Sequence, residues 1–218
     1  MITWTVLLRA RPGKVDDWIA LANELTESSH RLDAGCVVYL CLQHQDDPLE
    51  FTWYEQWADR ETLDAHIQRI RPITLGDERS RDGFESRLQA CIERREQVAW
   101  REFQQAPPAP WAYKDPGFTA LIHSRVKEGR EAEYASLLPE LTAIATSQPG
   151  HVAYIQHQFE TDPMRFMLFE QWADAAAAAA YVEALVARLG PPRPGERLPA
   201  RLMELREAYQ VIRCTVVA

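Results

Sequence analysis

Glu50-Phe51-Thr52-Trp53-Tyr54-Glu55-Gln56-Trp57-Ala58-Asp59 returns further along the chain as Arg165-Phe166-Met167-Leu168-Phe169-Glu170-Gln171-Trp172-Ala173-Asp174. In the same register Gly35, Val37, Tyr39, Gln43, Asp47 and Pro48 meet Gly150, Val152, Tyr154, Gln158, Asp162 and Pro163. Upstream the match slips by one residue, so that Thr3, Arg9 and Gly13 meet Thr119, Arg125 and Gly129, and near the end Gln97-Val98 meets Gln210-Val211. Self-similarity over this span is the mark of a duplicated unit, and it takes precedence over any single-domain reading of 218 residues. The expected organisation is a first domain over 1–104, a proline-rich linker over 105–116 and a second domain over 117–218.

Working outward from the repeat, each copy begins with a strand, Ile2 to Arg9 or Phe118 to Val126, and a glycine turn. A helix follows, with Trp18, Leu21, Ala22 and Leu25 on one face in the first copy and Tyr134, Leu137, Leu138 and Leu141 in the second. After Gly35 or Gly150 come two strands with Asp-Pro in the turn between them, Cys36 to His44 with Glu50 to Trp57, and His151 to Phe159 with Arg165 to Trp172. Asp59 and Asp174 are suited to cap a second helix. A third helical segment is predicted over Gly83 to Arg95 and Leu198 to Ala208, ahead of closing strands Gln97 to Phe103 and Gln210 to Val217.

The order βαββαβ predicts an α+β protein made of two ferredoxin-like domains in tandem. Helices on one face of an antiparallel sheet leave the other face apolar. The expectation is therefore that the two sheets pack face to face as an intramolecular α+β barrel, an internal pseudo-dimer. Whether such a pair dimerises further is left open.

A formal charge of −8, with acidic residues spread along the chain, argues against a nucleic-acid partner, which needs a basic stripe. The short apolar run at the N-terminus has the pattern of a strand and not of a signal peptide or membrane span, which makes the cytoplasm the default location. Cys36, Cys41, Cys91 and Cys214 lack metal-ligand spacing and read as buried free thiols, with no metal expected.

With the βαββαβ unit, Gly-x-x-x-Tyr on the second strand (Gly35 with Tyr39, Gly150 with Tyr154) and Glu-x-Trp closing the third, the sequence resembles the antibiotic biosynthesis monooxygenase family of the dimeric α+β barrel superfamily. The resemblance covers both copies. It implies a ligand pocket between sheet and helices and, in many members, a monooxygenase that oxidises quinols, anthrones or related phenols with O2 and no cofactor. Other relatives degrade haem or isomerise small molecules. The asparagine and tyrosine that flank the tryptophan in anthrone oxygenases are replaced here by Trp53 and Leu63, then by Leu168 and Ala178. The haem-handling positions fall on Val6 and Gly76, and on Ile122 and Pro191, so haem ligation is not supported.

Alternation places Phe51, Trp53, Glu55 and Trp57 on one strand face. Trp57 stands where the resemblance puts a pocket tryptophan, and Tyr39 and Trp53 join it as substrate-binding candidates beside the simpler reading as core. Glu55 and Glu170, if buried, gain a raised pKa and the ability to act as bases; more often such glutamates satisfy backbone donors. His66, on the second helix, is the candidate catalytic base, since an imidazole near neutrality can take a phenolic proton. The simpler reading is a polar helix residue.

The second copy has Tyr181 in place of His66 and Ala175 to Ala180 in place of Arg60 to Ala65. The simple reading of that run is a solvated or loosely constrained helix; the functional alternatives are a wider pocket floored by small side chains or an empty site kept as scaffold, with scaffold favoured. His123, Tyr154, Trp172 and Tyr181 form its weaker candidate pocket, and His157 lies on a neighbouring strand. Three functions compete: oxidation of a small phenolic, quinol or polyketide-like aromatic with O2, non-catalytic capture of an apolar metabolite, and cofactor-free isomerisation.

Overall fold

The structure is a computed structural model that describes residues 1–74, 84–105 and 117–218. The expected linker lies outside the described residues apart from Gln105, and so does Gly76. The chain divides into two compact units, residues 1–100 with 215–218, and residues 101–214.

The first unit holds β1 (Ile2–Ala10), α1 (Val15–Leu32), β2 (Cys36–His44), β3 (Glu50–Trp57), α2 (Arg60–Thr74), α3 (Phe84–Cys91) and the start of β4 (Ile92–Gln105). Strand β1 pairs with β3 on one side and β4 on the other, and β3 pairs with β2, all antiparallel. The second unit repeats the order as β5 (Phe118–Val126), α4 (Glu131–Thr146), β6 (His151–Phe159), β7 (Arg165–Trp172), α5 (Ala175–Leu189), α6 (Ala200–Leu205) and β8 (Arg206–Val216). There β5 lies between β7 and β8, and β7 pairs with β6. These are two ferredoxin-like domains in tandem.

The duplication extends to irregularities. Ile2 faces Trp57 and Phe118 faces Trp172; the register breaks between Cys36 and Val38 in one copy and between His151 and Ala153 in the other. A bulge inserts one residue and re-aims the side chains beyond it, so its retention keeps the same face turned to the helices in both copies. Gly35 has φ +85° and a Cβ there would meet Thr62 Cγ2 at 2.5 Å; at Gly150, φ is +80° and Ala177 Cβ would be 2.8 Å away. Only glycine satisfies both the left-handed backbone and the close approach.

Helix starts follow the expected capping. Asp59 Oδ1 accepts from Thr62 N at 2.8 Å, and Asp174 Oδ1 from Ala177 N at 2.8 Å. The apolar stripe of α1 buries Trp18, Leu21, Ala22 and Leu25, and that of α4 buries Tyr134, Leu137, Leu138 and Leu141. Each stripe packs on its own sheet, against Phe51, Trp53 and Trp57 in one core and Phe166, Leu168 and Trp172 in the other. Residues 215–218 belong to the first unit, where Val217 N donates to Cys41 O at 2.9 Å.

The closing strands begin earlier than the sequence predicts, at Ile92 and Arg206, and the helices before them are short. Glu93-Arg94-Arg95-Glu96 has good helix propensity, but cross-strand ion pairs from Arg9 to Glu93 at 2.9 Å and from Arg94 to Glu50 at 2.8 Å favour the extended form. None of the four cysteines forms a disulfide; three are buried and Cys36 is half-buried. Among the described residues, no helix is long and apolar enough to cross a membrane, and no group of side chains is placed to hold a metal ion.

Candidate functional site

In the first copy the sequence-predicted residues do come together, but around little space. The Tyr39 ring lies 4.9 Å from Trp53 and 5.9 Å from Trp57, and Trp57 lies 4.4 Å from His66, centroid to centroid. All four side chains are buried. The cavity beside them is about 40 Å³, with Tyr39, Trp53 and Glu55 in its wall. His66 Nδ1 is 2.7 Å from Asp33 Oδ2, and Asp33 is also held by Arg69, whose Nη1 donates to Ser28 Oγ at 2.8 Å. Burial pulls the His66 imidazole below its usual range, against the opposing pull of Asp33. Burial alone would raise the Asp33 carboxyl, but Arg69 and His66 hold it low. Glu55 is pushed up to about 7 by burial, and Trp57 Nε1 donates to its Oε2 at 3.1 Å.

The second copy encloses about 190 Å³ between sheet and helices. Glu170 projects into this cavity from β7, Tyr154 and Gln156 from β6, Ser124 from β5, Tyr181 from α5 and Arg206 from the start of β8. Ala175, Ala178 and Ala179 supply part of the wall, so the alanine run borders a wide pocket, the reading that the sequence ranks second. Arg197, Tyr209, Val211 and Arg213 are exposed at its mouth.

Differences at matched positions account for the space. Leu8, Trp18, Trp53 and Leu63 of the first copy correspond to Ser124, Tyr134, Leu168 and Ala178, each smaller than its counterpart. The network around His66 has also gone, because Asp33, His66 and Arg69 correspond to Gln148, Tyr181 and Ala184. Tyr181 keeps the ring of His66 in place, stacked on Trp172 at 5.0 Å and 24°. Its hydroxyl instead meets Tyr154 Oη at 2.6 Å, and Gln156 Nε2 donates to Tyr154 Oη at 3.2 Å. Burial raises the pKa of both tyrosines, so they stay protonated. Two O–H groups share one mutual bond, which leaves one hydroxyl proton to offer a ligand.

Glu170 is buried, and burial pushes it up to about 7. The neighbouring Trp172 indole draws that value down a little, yet neither Trp172 Nε1 nor Glu170 Oε2 completes a hydrogen bond. Arg206 gives Nη2 to Tyr134 Oη at 3.0 Å and lies 5.5 Å from the centres of the Tyr134 and Tyr209 rings. Its Nε and Nη1 are buried without a partner. Trp172 is fully buried behind Tyr181 and lies outside the cavity wall. His123 is on the face of β5 opposite Ile122 and Ser124, away from the cavity. His157 likewise sits on the far face of β6, where burial pulls it down to about 3.

In the sequence Glu170 is a possible buried base but not one of the candidate pocket residues; its match to Glu55 on the repeated strand is the available signal. Gln156 had no signal beyond its place on the strand face shared with Tyr154. Arg206 had none, lying in Leu202-Met203-Glu204-Leu205-Arg206-Glu207-Ala208, which has the composition of a helix.

A tandem ferredoxin-like protein with a largely apolar pocket between sheet and helices defines a class of small-molecule binding domains and enzymes. The model of the antibiotic biosynthesis monooxygenase family matches residues 1–69 and again 117–185, together more than half of the chain. The chain belongs to that family. A "putative monooxygenase" from Lactobacillus acidophilus has a similar solved structure (TM-score 0.76, 14% identity, 100% of this chain and 94% of that one). So has a protein of the same description from Fusobacterium nucleatum (TM-score 0.80, 12% identity, 100% and 92%). An anthrone oxidase-like protein superposes at TM-score 0.61 with 15% identity over 100% and 91% of the two chains. At these identities the likeness establishes the fold. An uncharacterised protein from Synechocystis is 31% identical over 61 residues, 28% of this chain and 41% of that protein, so the match spans less than half of that relative.

Proposed function

We propose that the second copy carries a cofactor-independent monooxygenation of a small phenolic or quinol substrate by O2, and that the first copy serves as scaffold. The observation that carries this reading is the Glu170 carboxyl, its Oε2 buried without a hydrogen-bond partner and its pKa pushed up to about 7 by burial, in the wall of a cavity of about 190 Å³. A base with a pKa near the working pH combines an adequate ionised fraction with real basicity.

In this scheme ionised Glu170 takes a proton from the bound aromatic. The Tyr154–Tyr181 pair donates to the oxygen on which charge develops, and the apolar wall excludes water, which strengthens that hydrogen bond. The resulting anion is electron-rich enough to reduce O2 directly. A carbon–oxygen bond forms and the O–O bond breaks. One oxygen atom stays in the product, and the other leaves as water with the two hydrogens that the substrate loses. His66 is engaged with Asp33 and lies outside the wall of the first copy's cavity, which at about 40 Å³ has no comparable room to receive an aromatic ring.

The test is incubation of the wild-type protein with a panel of quinols under ¹⁸O2. The scheme requires one labelled atom in the product and one in water. A product of unchanged mass formed without O2 would identify an isomerase, and thermal stabilisation without turnover would identify a binding protein.

A further inference from the structure

The cavity of the second copy has a polar feature that proton abstraction does not use. Arg206 enters from the start of β8, its guanidinium lying against the Tyr134 and Tyr209 rings, with one nitrogen bound to Tyr134 Oη and with Nε and Nη1 buried and unpartnered. Buried guanidinium N–H groups without acceptors are costly, and in a ligand pocket the simplest remedy is an acceptor brought by the ligand. Arg206 influences both Tyr154 and Tyr181 electrostatically, which places it within range of the hydroxyl pair. Arg197 and Arg213 stand at the mouth, and among the described residues Glu170 is the one carboxylate in the wall. A chain with formal charge −8 thus presents a locally basic pocket.

We infer that the ligand of this cavity is an aromatic acid whose carboxylate is bound by Arg206 through Nε and Nη1, with Arg197 and Arg213 drawing it toward the mouth. The inference rests on the proposed function only in taking this cavity as the ligand site. An engineered cavity of about 150 Å³ accepts benzene. A volume of about 190 Å³ therefore suits one substituted ring, with the carboxylate toward β8 and the ring toward Glu170 and the tyrosines. Arg206 is a binding residue here and takes no part in proton transfer.

The probes are 2,5-dihydroxybenzoate, a hydroquinone that carries a carboxylate, and 2,5-dihydroxybenzamide, its neutral near-isostere. Calorimetry on the wild-type protein is expected to show the acid binding about tenfold or more tighter than the amide, as charge-assisted hydrogen bonds imply. Raising the salt concentration should narrow that ratio. Arg206→Met, which keeps an apolar stem in place of the arginine's, should bring the ratio close to one, while Glu170→Gln, which removes a negative charge from the wall, should not lower it. If that variant does not fold, the wild-type ratio and its salt dependence still decide. Equal affinity for acid and amide in the wild type, or an unchanged ratio in a folded Arg206→Met protein, would overturn the inference. Oxidation of the amide at the rate of the acid, with equal affinities, would retain the proposed function and reject the aromatic acid. Preference for the acid without turnover would do the reverse.

Discussion

Tyr181 Oη lies 2.6 Å from Tyr154 Oη, at the point in the repeat where the first copy has His66 instead. One substitution thus turns a side chain fixed by a hydrogen bond to Asp33 into half of a hydroxyl pair facing a cavity. The two copies keep the same strand framework and differ in what the second helix presents to it and in the smaller side chains at Ser124, Tyr134 and Leu168.

If the hydroxyl pair stabilises a developing oxyanion, Tyr181→Phe should lower kcat about 100-fold with little change in KM. The stacked ring remains, so stability should shift by no more than about 1 kcal/mol. Steady-state kinetics with a quinol, and thermal melts, read both effects.

The pH dependence of stability follows from Glu55 and Glu170, each raised from 4.5 to about 7 by burial. Between these values the folded protein holds protons that the unfolded chain has released. The stabilisation is present in full below about 4.5 and is lost as pH rises through about 7. Each carboxyl contributes on the order of 3 kcal/mol to that loss. Denaturant midpoints from pH 5 to 8 should fall for the wild type and fall less for Glu170→Gln, whose side chain has no charged form.

Ala178→Leu restores the residue type that occupies the matched position, Leu63, and should fill the pocket. Ligand binding is expected to disappear, with stability changed by about 1 kcal/mol either way, because the added atoms enter empty space and not a packed core. A thermal shift with 2,5-dihydroxybenzoate that survives this substitution would place the ligand elsewhere.

Asp33→Ala should act on stability alone. It leaves buried His66 and partly exposed Arg69 without their shared acceptor, at a cost of about 1–3 kcal/mol, and oxidation rates measured on folded protein should match the wild type.

Much of the architecture was legible because the repeat aligns turn glycines, helix caps and strand alternation independently, and each pointed to the same βαββαβ unit. Alternation along the third strand also placed Glu55, the counterpart of Glu170, on one face with Trp53 and Trp57. The closing strands were misjudged at their starts, because Glu93 to Glu96 carry helix formers whose extended form depends on Arg9 and Glu50, distant in sequence. Pocket volume was legible only as a hint in the alanine run, since it depends on several side chains from different elements. His66 stood out as an isolated histidine, but its bond to Asp33 could not be seen from spacing. Arg206 was hidden for the opposite reason: an arginine among helix formers looks like surface until a strand starts on it.

The most direct measurement compares O2 uptake by His66→Ala and Glu170→Gln with the same quinol, both variants verified as folded. Catalysis in the second copy predicts a loss of at least about 100-fold for Glu170→Gln, the scale of a removed general base, and a rate within about twofold of wild type for His66→Ala. The opposite pattern, with His66→Ala inactive and Glu170→Gln unimpaired, would place the chemistry in the first copy and contradict the account.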